Sequence, residues 1–121
     1  MNPNNYASLE ASKRLVEAGI VLETDMIWHC AHGFFELKQR GILNSSIGIN
    51  YPAPCMAEVW RELPPQGCYL TANQGYYYAW IEWTDFEGHG KSCEAKENTN
   101  PADALIDLLI WVRKEASNDH T

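Results

Sequence analysis

One stretch near the end of the chain, residues 100–115 (NPADALIDLLIWVRKE), limits the possible folds more than any other. Its apolar residues recur at the i, i+3, i+4 and i+7 spacing of a buried helix face, which Leu105, Leu108, Leu109 and Val112 follow. The apolar surface is widened further by Ile106, Ile110 and Trp111. Such a helix must be covered on more than one side, by a second layer or by another subunit. We therefore expect a central helix against which the strands before it pack.

The ends of this segment carry residues that helix termini favour. Asn100 can accept hydrogen bonds from unpaired N–H groups, and Pro101 fits the first turn. Asp103 places negative charge near the positive end of the helix dipole, and Arg113 places positive charge near the other end. We expect Asp103 and Asp107, which stand at i, i+4 spacing, to form a solvated face. Burial of each large apolar side chain contributes about 1.5–3 kcal/mol, so this helix should dominate the core.

Residue spacing predicts two further helices and five strands in the rest of the chain. Amphipathic periodicity favours helices over residues 6–18 and 54–63. Alternation and β-prone composition predict strands over residues 22–30, 34–38, 68–72, 76–84 and 91–97. Residues 41–53 carry Gly, Asn, Ser and Pro without a sustained period, and we predict a loop there.

The resulting order, α-β-β-α-β-β-β-α, predicts an α+β fold with a largely antiparallel sheet packed against helices. A length of 121 residues suits a single domain over residues 1–121. Residues 1–5 and 116–121 are polar, and we expect flexible tails there.

The charge balance argues against two classes of partner. A formal net charge of −7, with the acids scattered, disfavours binding to nucleic acid or to an anionic membrane. No apolar run approaches the roughly 20 residues that span a bilayer. The N-terminus also lacks the charged-then-apolar pattern of a signal peptide. We therefore expect a cytoplasmic protein, in the host cytoplasm if a phage encodes it.

Potential metal ligands and catalytic residues are scattered along the chain. The ligand-type residues are His29, Cys30, His32, Cys55, Cys68, His89 and Cys93, with no C-x-x-C pair. On a strand His29 and Cys30 point to opposite faces, so we predict no metal site and no cofactor. The cysteines are expected to be free and mostly buried. No serine, cysteine or carboxylate has a recognisable catalytic setting, so we do not predict an enzyme.

The most informative surface candidate is the segment GYYYAWIEW at residues 75–83. Strand alternation divides this segment into two faces, both aromatic: one carries Tyr77, Ala79, Ile81 and Trp83, and the other carries Tyr76, Tyr78, Trp80 and Glu82. Two aromatic faces are unusual for a sheet with one side in water. Under one interpretation both faces are buried, the second beneath loop 41–53 or a partner subunit. Under the other, the tyrosines and Trp80 stay open and stack a base or anchor a protein partner.

Residues 54–115, predicted as helix, three strands and helix, resemble the layout of a double-stranded-RNA-binding domain. The stretch GHGKSCEAKE at residues 88–97 is similar to that family's Gly-x-Gly approach to its final helix. The family presents a lysine cluster at the start of this helix, where this chain has Asn100-Pro101-Ala102-Asp103. The resemblance therefore implies a shared topology, and we do not expect RNA binding.

A second resemblance covers more of the chain. Three segments, at residues 7–25, 52–64 and 100–115, resemble uncharacterised small proteins of tailed phages and prophages. The resemblance implies a phage origin and a shared scaffold, and it transfers no catalytic residue. It covers the predicted helices rather than most of the predicted strands.

Together these observations predict a non-enzymatic, phage-type accessory protein that binds a protein partner, including a host defence protein that it would inhibit. Two alternatives stay open. A small-molecule binder would stack a nucleotide on Tyr76, Tyr78 and Trp80 and pair its phosphate with Arg61 or Arg113. A structural, self-assembling protein would form a homo-oligomer through the C-terminal helix.

Overall fold

A computed structural model describes residues 5–30, 33–42 and 48–118. Within these residues the fold is α+β, as predicted, with three α-helices and two antiparallel sheets. The helices are α1 (Leu9–Glu17), α2 (Met56–Trp60) and α3 (Pro101–Asn118). The strands are β1 (Met26–Cys30), β2 (Phe35–Gln39), β3 (Ile49–Pro52), β4 (Cys68–Asn73), β5 (Tyr76–Thr84), β6 (Gly90–Ser92) and β7 (Lys96–Asn98).

The two sheets are built around β1 and β5. The first has the order β2-β1-β3, and in the second β5 pairs with β4 on one edge and with β6 and β7 on the other. A two-residue turn joins β4 to β5, and its residues Gln74 and Gly75 have φ angles of 52° and 85°. Such turns match the twist of paired strands and set their register, which here runs from Asn73 opposite Tyr76 to Cys68 opposite Ile81.

Several predicted elements differ from the structure. The expected strand 22–30 begins only at Met26, the expected helix 54–63 ends at Trp60, and residues 116–118 of the expected tail belong to α3.

Residues 49–52 of the expected loop form β3, which pairs with β1, whereas residues 43–47 lie outside the described part of the chain. The Gly, Asn, Ser and Pro of residues 41–53 favoured a loop, and the pairing of β3 with β1 depends on residues distant in the chain. The expected strand 91–97 is divided into β6 and β7, since residues 93–95 leave the strand geometry.

Helix α3 forms the centre of the core, as expected. Its side chains Leu105, Ile106, Leu108 and Leu109 are fully buried. Helices α1 and α2 and strands β5 and β7 all contact it. The helix is therefore covered on more than one side, and elements of the same chain provide that cover.

A polar junction joins the start of α3 to the residues before α1. The Asn100 side chain accepts hydrogen bonds from the N–H groups of Ala102 (2.9 Å) and Asp103 (3.3 Å), and it donates to the Tyr6 carbonyl oxygen (2.9 Å). Asp103 Oδ1 accepts from the Ser8 N–H at 2.8 Å. We expected Asp103 on a solvated face, and this prediction is wrong: Asp103 is only 5% exposed, because the residues before α1 cover the first turn of α3.

Truncation of the α3 core should be far more costly than loss of an ion pair on the same helix. We expect Leu108→Ala to lower the free energy of unfolding by about 2–5 kcal/mol, because it leaves a cavity in a packed interior. Asp107→Ala removes a partly exposed contact with Arg14 (2.9 Å) and should cost less than about 1 kcal/mol. Urea denaturation of both variants measures the difference, and equal effects would contradict the central role of α3.

The buried carboxyl of Asp103 should make stability depend on pH in a defined direction. Burial raises its pKa, although the Ser8 hydrogen bonds and Arg14 act against this. Folding therefore favours the protonated form, and the resulting stabilisation is present below the unfolded pKa and lost as pH rises through the folded pKa. We expect the unfolding free energy of wild type, minus that of Asp103→Asn, to fall as pH rises.

Urea denaturation over a pH series tests this expectation. Asp103→Ala is the matched comparison: it also removes the titrating carboxyl, so its difference from wild type should have the same pH slope. It leaves the Ser8 N–H without its acceptor, and it should therefore be less stable than Asp103→Asn by about 1–3 kcal/mol at every pH. A difference between wild type and Asp103→Asn that grows with pH would show that Ser8 and Arg14 outweigh burial.

Candidate functional site

The two sides of β5 have different environments. Ala79 is fully buried and Ile81 nearly so, and both belong to the core cluster that includes α3. Because successive strand residues point to opposite faces, Tyr76, Tyr78 and Trp80 project from the other side of the sheet. The sequence-predicted aromatic trio therefore lies on the side of β5 that α3 does not cover.

A fourth ring extends this side of the sheet. Tyr69 on β4 lies opposite Trp80, and their rings stack with centroids 5.3 Å apart and planes at 18°. We call the surface formed by Tyr69, Tyr76, Tyr78 and Trp80 the aromatic face. Tyr69 and Tyr76 are 45% and 44% exposed, and the other two rings are half-buried.

In the described part of loop 41–53, residues 49–52 pair with β1 in the other sheet. Tyr78 and Trp80 are half-buried within the chain itself. Both interpretations of this side of β5, cover by a partner subunit and an open binding face, stay predictions.

The charged residues that strand pairing places on this side of the sheet are Glu82 and Glu97, and Lys91 lines a surface pocket together with Tyr69 and Glu82. Trp80 Nε1 donates a hydrogen bond to Glu82 Oε1 at 3.2 Å, and Glu97 lies opposite Tyr78 in the strand pairing. Desolvation and then the Glu97 carboxylate raise the pKa of Tyr78. Lys96 lies opposite Ala79 and therefore on the α3 side, where its Nζ is 5.9 Å from the Trp111 ring centroid.

The two arginines proposed for phosphate binding lie elsewhere. Arg61 follows α2 and lines a cleft of about 1060 Å³, together with Trp60, Arg40 and residues 23–25, and Leu105 lies among the lining residues. Arg113 on α3 donates to Glu62 Oε1 at 3.1 Å. The structure therefore brings together Tyr76, Tyr78 and Trp80 but does not place Arg61 or Arg113 beside them.

Sequence reasoning missed two residues of this site, Tyr69 and Glu97. Both lie on strands that flank β5, so their positions depend on strand register. For Tyr69 a signal was present, because a two-residue turn at Gln74 and Gly75 fixes Tyr69 opposite Trp80. For Glu97 no comparable signal exists, since β7 is reached through a longer connection.

The metal-ligand candidates do not converge in the described residues. No group of three His, Cys, Asp or Glu side chains there is arranged to hold a metal ion, and His32 lies outside the described residues. All four cysteines are free, as predicted, but only Cys93 is buried, so the expectation of mostly buried thiols is wrong. The thiols at the other three positions are half-buried because they lie near the ends of secondary-structure elements.

The contact between Tyr78 and Glu97 has a direct spectroscopic signature. Glu97→Gln should lower the pKa of Tyr78, because it removes the negative charge that disfavours the phenolate. Ultraviolet titration measures this pKa, with Tyr78→Phe identifying its contribution. Glu82→Gln is the matched control, since Glu82 bonds Trp80, and it should leave the pKa of Tyr78 unchanged. The same shift in both variants would contradict the pairing.

Comparison with protein-family models, curated protein sequences and solved structures finds no match to this chain. In the described ranges, no helix is long and apolar enough to cross a membrane.

Proposed function

We propose that this chain acts without catalysis, by binding a protein partner through the aromatic face, and that the contacted surface of the partner is basic. One observation carries the proposal: four large rings lie together on the side of the sheet away from α3, beside Glu82 and Glu97. Tyrosine and tryptophan are the residues most often found to dominate binding energy at protein interfaces.

Two of the four rings have contacts that order them before any partner arrives. Tyr69 is stacked on Trp80, and Trp80 Nε1 donates a hydrogen bond to Glu82. Side chains that are fixed in the free protein lose less conformational entropy on binding. This preorganisation supports a binding role for the aromatic face.

The charges indicate what kind of surface would fit. Glu82 and Glu97 add negative charge beside the rings, in a chain whose formal net charge is −7. An arginine of a partner can stack on an aromatic ring and pair with a carboxylate at the same time. Nucleic acid and nucleotide phosphates would meet repulsion at this face.

The resemblance to small phage proteins suggests a biological setting for this proposal. A phage-encoded chain would meet the proteins of its bacterial host, including defence proteins that use basic surfaces to bind nucleic acid. An acidic face with exposed rings would occupy such a surface and inhibit the host protein.

The cleft beside α2 favours a second candidate function, the binding of a small planar molecule with polar groups. It brings Arg61 and Arg40 together with Trp60, which is 44% exposed. Three carboxylates also line the cleft: Glu23, Asp25 and Glu58. An indole can stack on a planar ligand while guanidinium groups and carboxylates pair with its polar groups. This site differs from the one expected for a nucleotide, because it uses Trp60 instead of the aromatic strand.

A pair of tryptophan variants separates the two candidates. Trp80→Ala removes the centre of the aromatic face and should weaken binding of a basic partner protein at least about 30-fold, the usual effect of losing an interface hot spot. Trp60→Ala removes an exposed tryptophan of the α2 cleft and should leave that binding unchanged. Capture from bacterial lysate on immobilised protein, followed by titration of the captured protein, provides the measurement.

Two controls make this experiment decisive. Circular dichroism shows whether each variant remains folded, and Glu97→Lys should weaken capture while leaving the rings in place. Capture that survives Trp80→Ala and Glu97→Lys but fails in Trp60→Ala would contradict the main proposal and favour the α2 cleft.

A further inference from the structure

The free edge of β4 differs from every other sheet edge in the described chain. Strand β4, CYLTAN, is six residues long and contains no charged residue and no proline. Native proteins usually protect exposed edges with charge, proline, short strands or a covering element. The other edge strands have such protection: β2 carries Glu36 and Lys38, β3 ends at Pro52, and β6 and β7 have three residues each and carry lysine.

The backbone groups that face away from β5 follow from the hydrogen-bond pattern. The Glu82 N–H donates to the Gly67 carbonyl oxygen at 2.8 Å, so this opposed pair is a hydrogen-bonded one. Bonded and non-bonded pairs alternate along an antiparallel ladder. The N–H and C=O groups of Cys68, Leu70 and Ala72 therefore point outward from the sheet.

The opposite edge of β5 agrees with this assignment. Ile81, which lies opposite Cys68, accepts a hydrogen bond from the Cys93 N–H at 3.1 Å. The backbone carbonyl group of Ile81 therefore points away from β4, toward the opposite edge of β5. In the described part of the chain, β4 pairs with β5 alone, and Thr71, Ala72 and Asn73 are exposed.

We infer that β4 is a dimerisation edge, on which the β4 strand of a second copy of this chain pairs in antiparallel orientation with Leu70 opposite Leu70. In this register Cys68 lies opposite Ala72 of the second copy, and each outward N–H meets an outward C=O. The arrangement has two-fold symmetry, as expected for a homodimer.

Side-chain size and charge support a second copy as the occupant. Tyr69 lies opposite Thr71 of the other copy and Cys68 opposite Ala72, so each larger side chain has a smaller neighbour. No charged side chain stands on the pairing strand, although the chain as a whole carries a formal net charge of −7. Two copies therefore approach along this edge without placing like charges directly opposite each other.

This interface differs from a homo-oligomer built through the C-terminal helix. The same chain encloses Leu105, Ile106, Leu108 and Leu109 of α3 and half-buries Ile110, Trp111 and Val112. The outward backbone groups of β4, in contrast, have no strand partner in the described residues. The inference is independent of the basic partner, because dimerisation is measured on the purified chain alone.

Sedimentation velocity over a dilution series of the full chain tests the inference. Wild type should shift from monomer to dimer as concentration rises, and Thr71→Lys should weaken dimerisation at least about tenfold by placing charge on the edge. Gln39→Lys, which adds the same charge on β2, should dimerise like wild type. A monomeric wild type, or equal behaviour of the two variants, would overturn the inference.

A cross-linking variant tests the register itself. Directly opposed residues of a bonded antiparallel pair have Cα atoms about 5.5 Å apart, within the range of a disulfide. When dissolved oxygen is supplied as the two-electron oxidant, the Ala72→Cys thiol and Cys68 of the second copy should therefore lose their protons and form a disulfide, and the covalent dimer should be seen on a non-reducing gel. The double variant Ala72→Cys with Cys68→Ser should form no cross-link. A covalent dimer in the double variant, or none in Ala72→Cys alone, would refute this register.

Discussion

The structure depends on enclosing a helix that is apolar around most of its circumference. Leu105, Ile106, Leu108 and Leu109 of α3 are fully buried, and no single layer can cover all of them. Helices α1 and α2 cover part of the surface and β5 and β7 cover another part. Because one side of the four-stranded sheet is used for this purpose, its other side is left for a different role.

The polar junction at the start of α3 serves the same enclosure. Helix ends carry N–H groups that need acceptors, and a buried end must find them within the protein. The Asn100 side chain accepts a hydrogen bond from the first turn of α3 and donates one to the Tyr6 carbonyl oxygen. The Asp103 carboxylate accepts a hydrogen bond from the Ser8 N–H. These contacts join residues about 95 positions apart in the chain, so the residues before α1 help to close the core over the last helix. Part of that closure places a carboxylate in a poorly solvated site, which explains the raised pKa of Asp103.

Features that depend on local sequence were predicted well, and those that depend on distant pairing were not. The period of α3 and the β-prone composition of β5 are visible within their own residues. Strand β3 was missed because it is short, lies among loop-type residues and pairs with β1, which is distant in the chain. The alternation of β5 placed Tyr76, Tyr78 and Trp80 on one face, but identifying Glu97 as a neighbour required the register of β7. Likewise, Arg61 and Arg113 could be recognised as cations from sequence, whereas their distance from the aromatic face could not.

The aromatic face and the β4 edge are connected by Tyr69, which belongs to both. In an antiparallel pair, opposed residues lie on the same side of the sheet, so dimerisation with Leu70 opposite Leu70 would place both aromatic faces on one side. Each Tyr69 would remain stacked on its own Trp80, and the carboxylates of Glu82 and Glu97 would be duplicated across the two-fold axis. A partner with two basic sites would then gain from simultaneous engagement, since the second contact becomes intramolecular once the first has formed. The uncharged edge and the acidic face would in that case have complementary roles, because the edge brings two copies together and the face attracts a molecule of opposite charge.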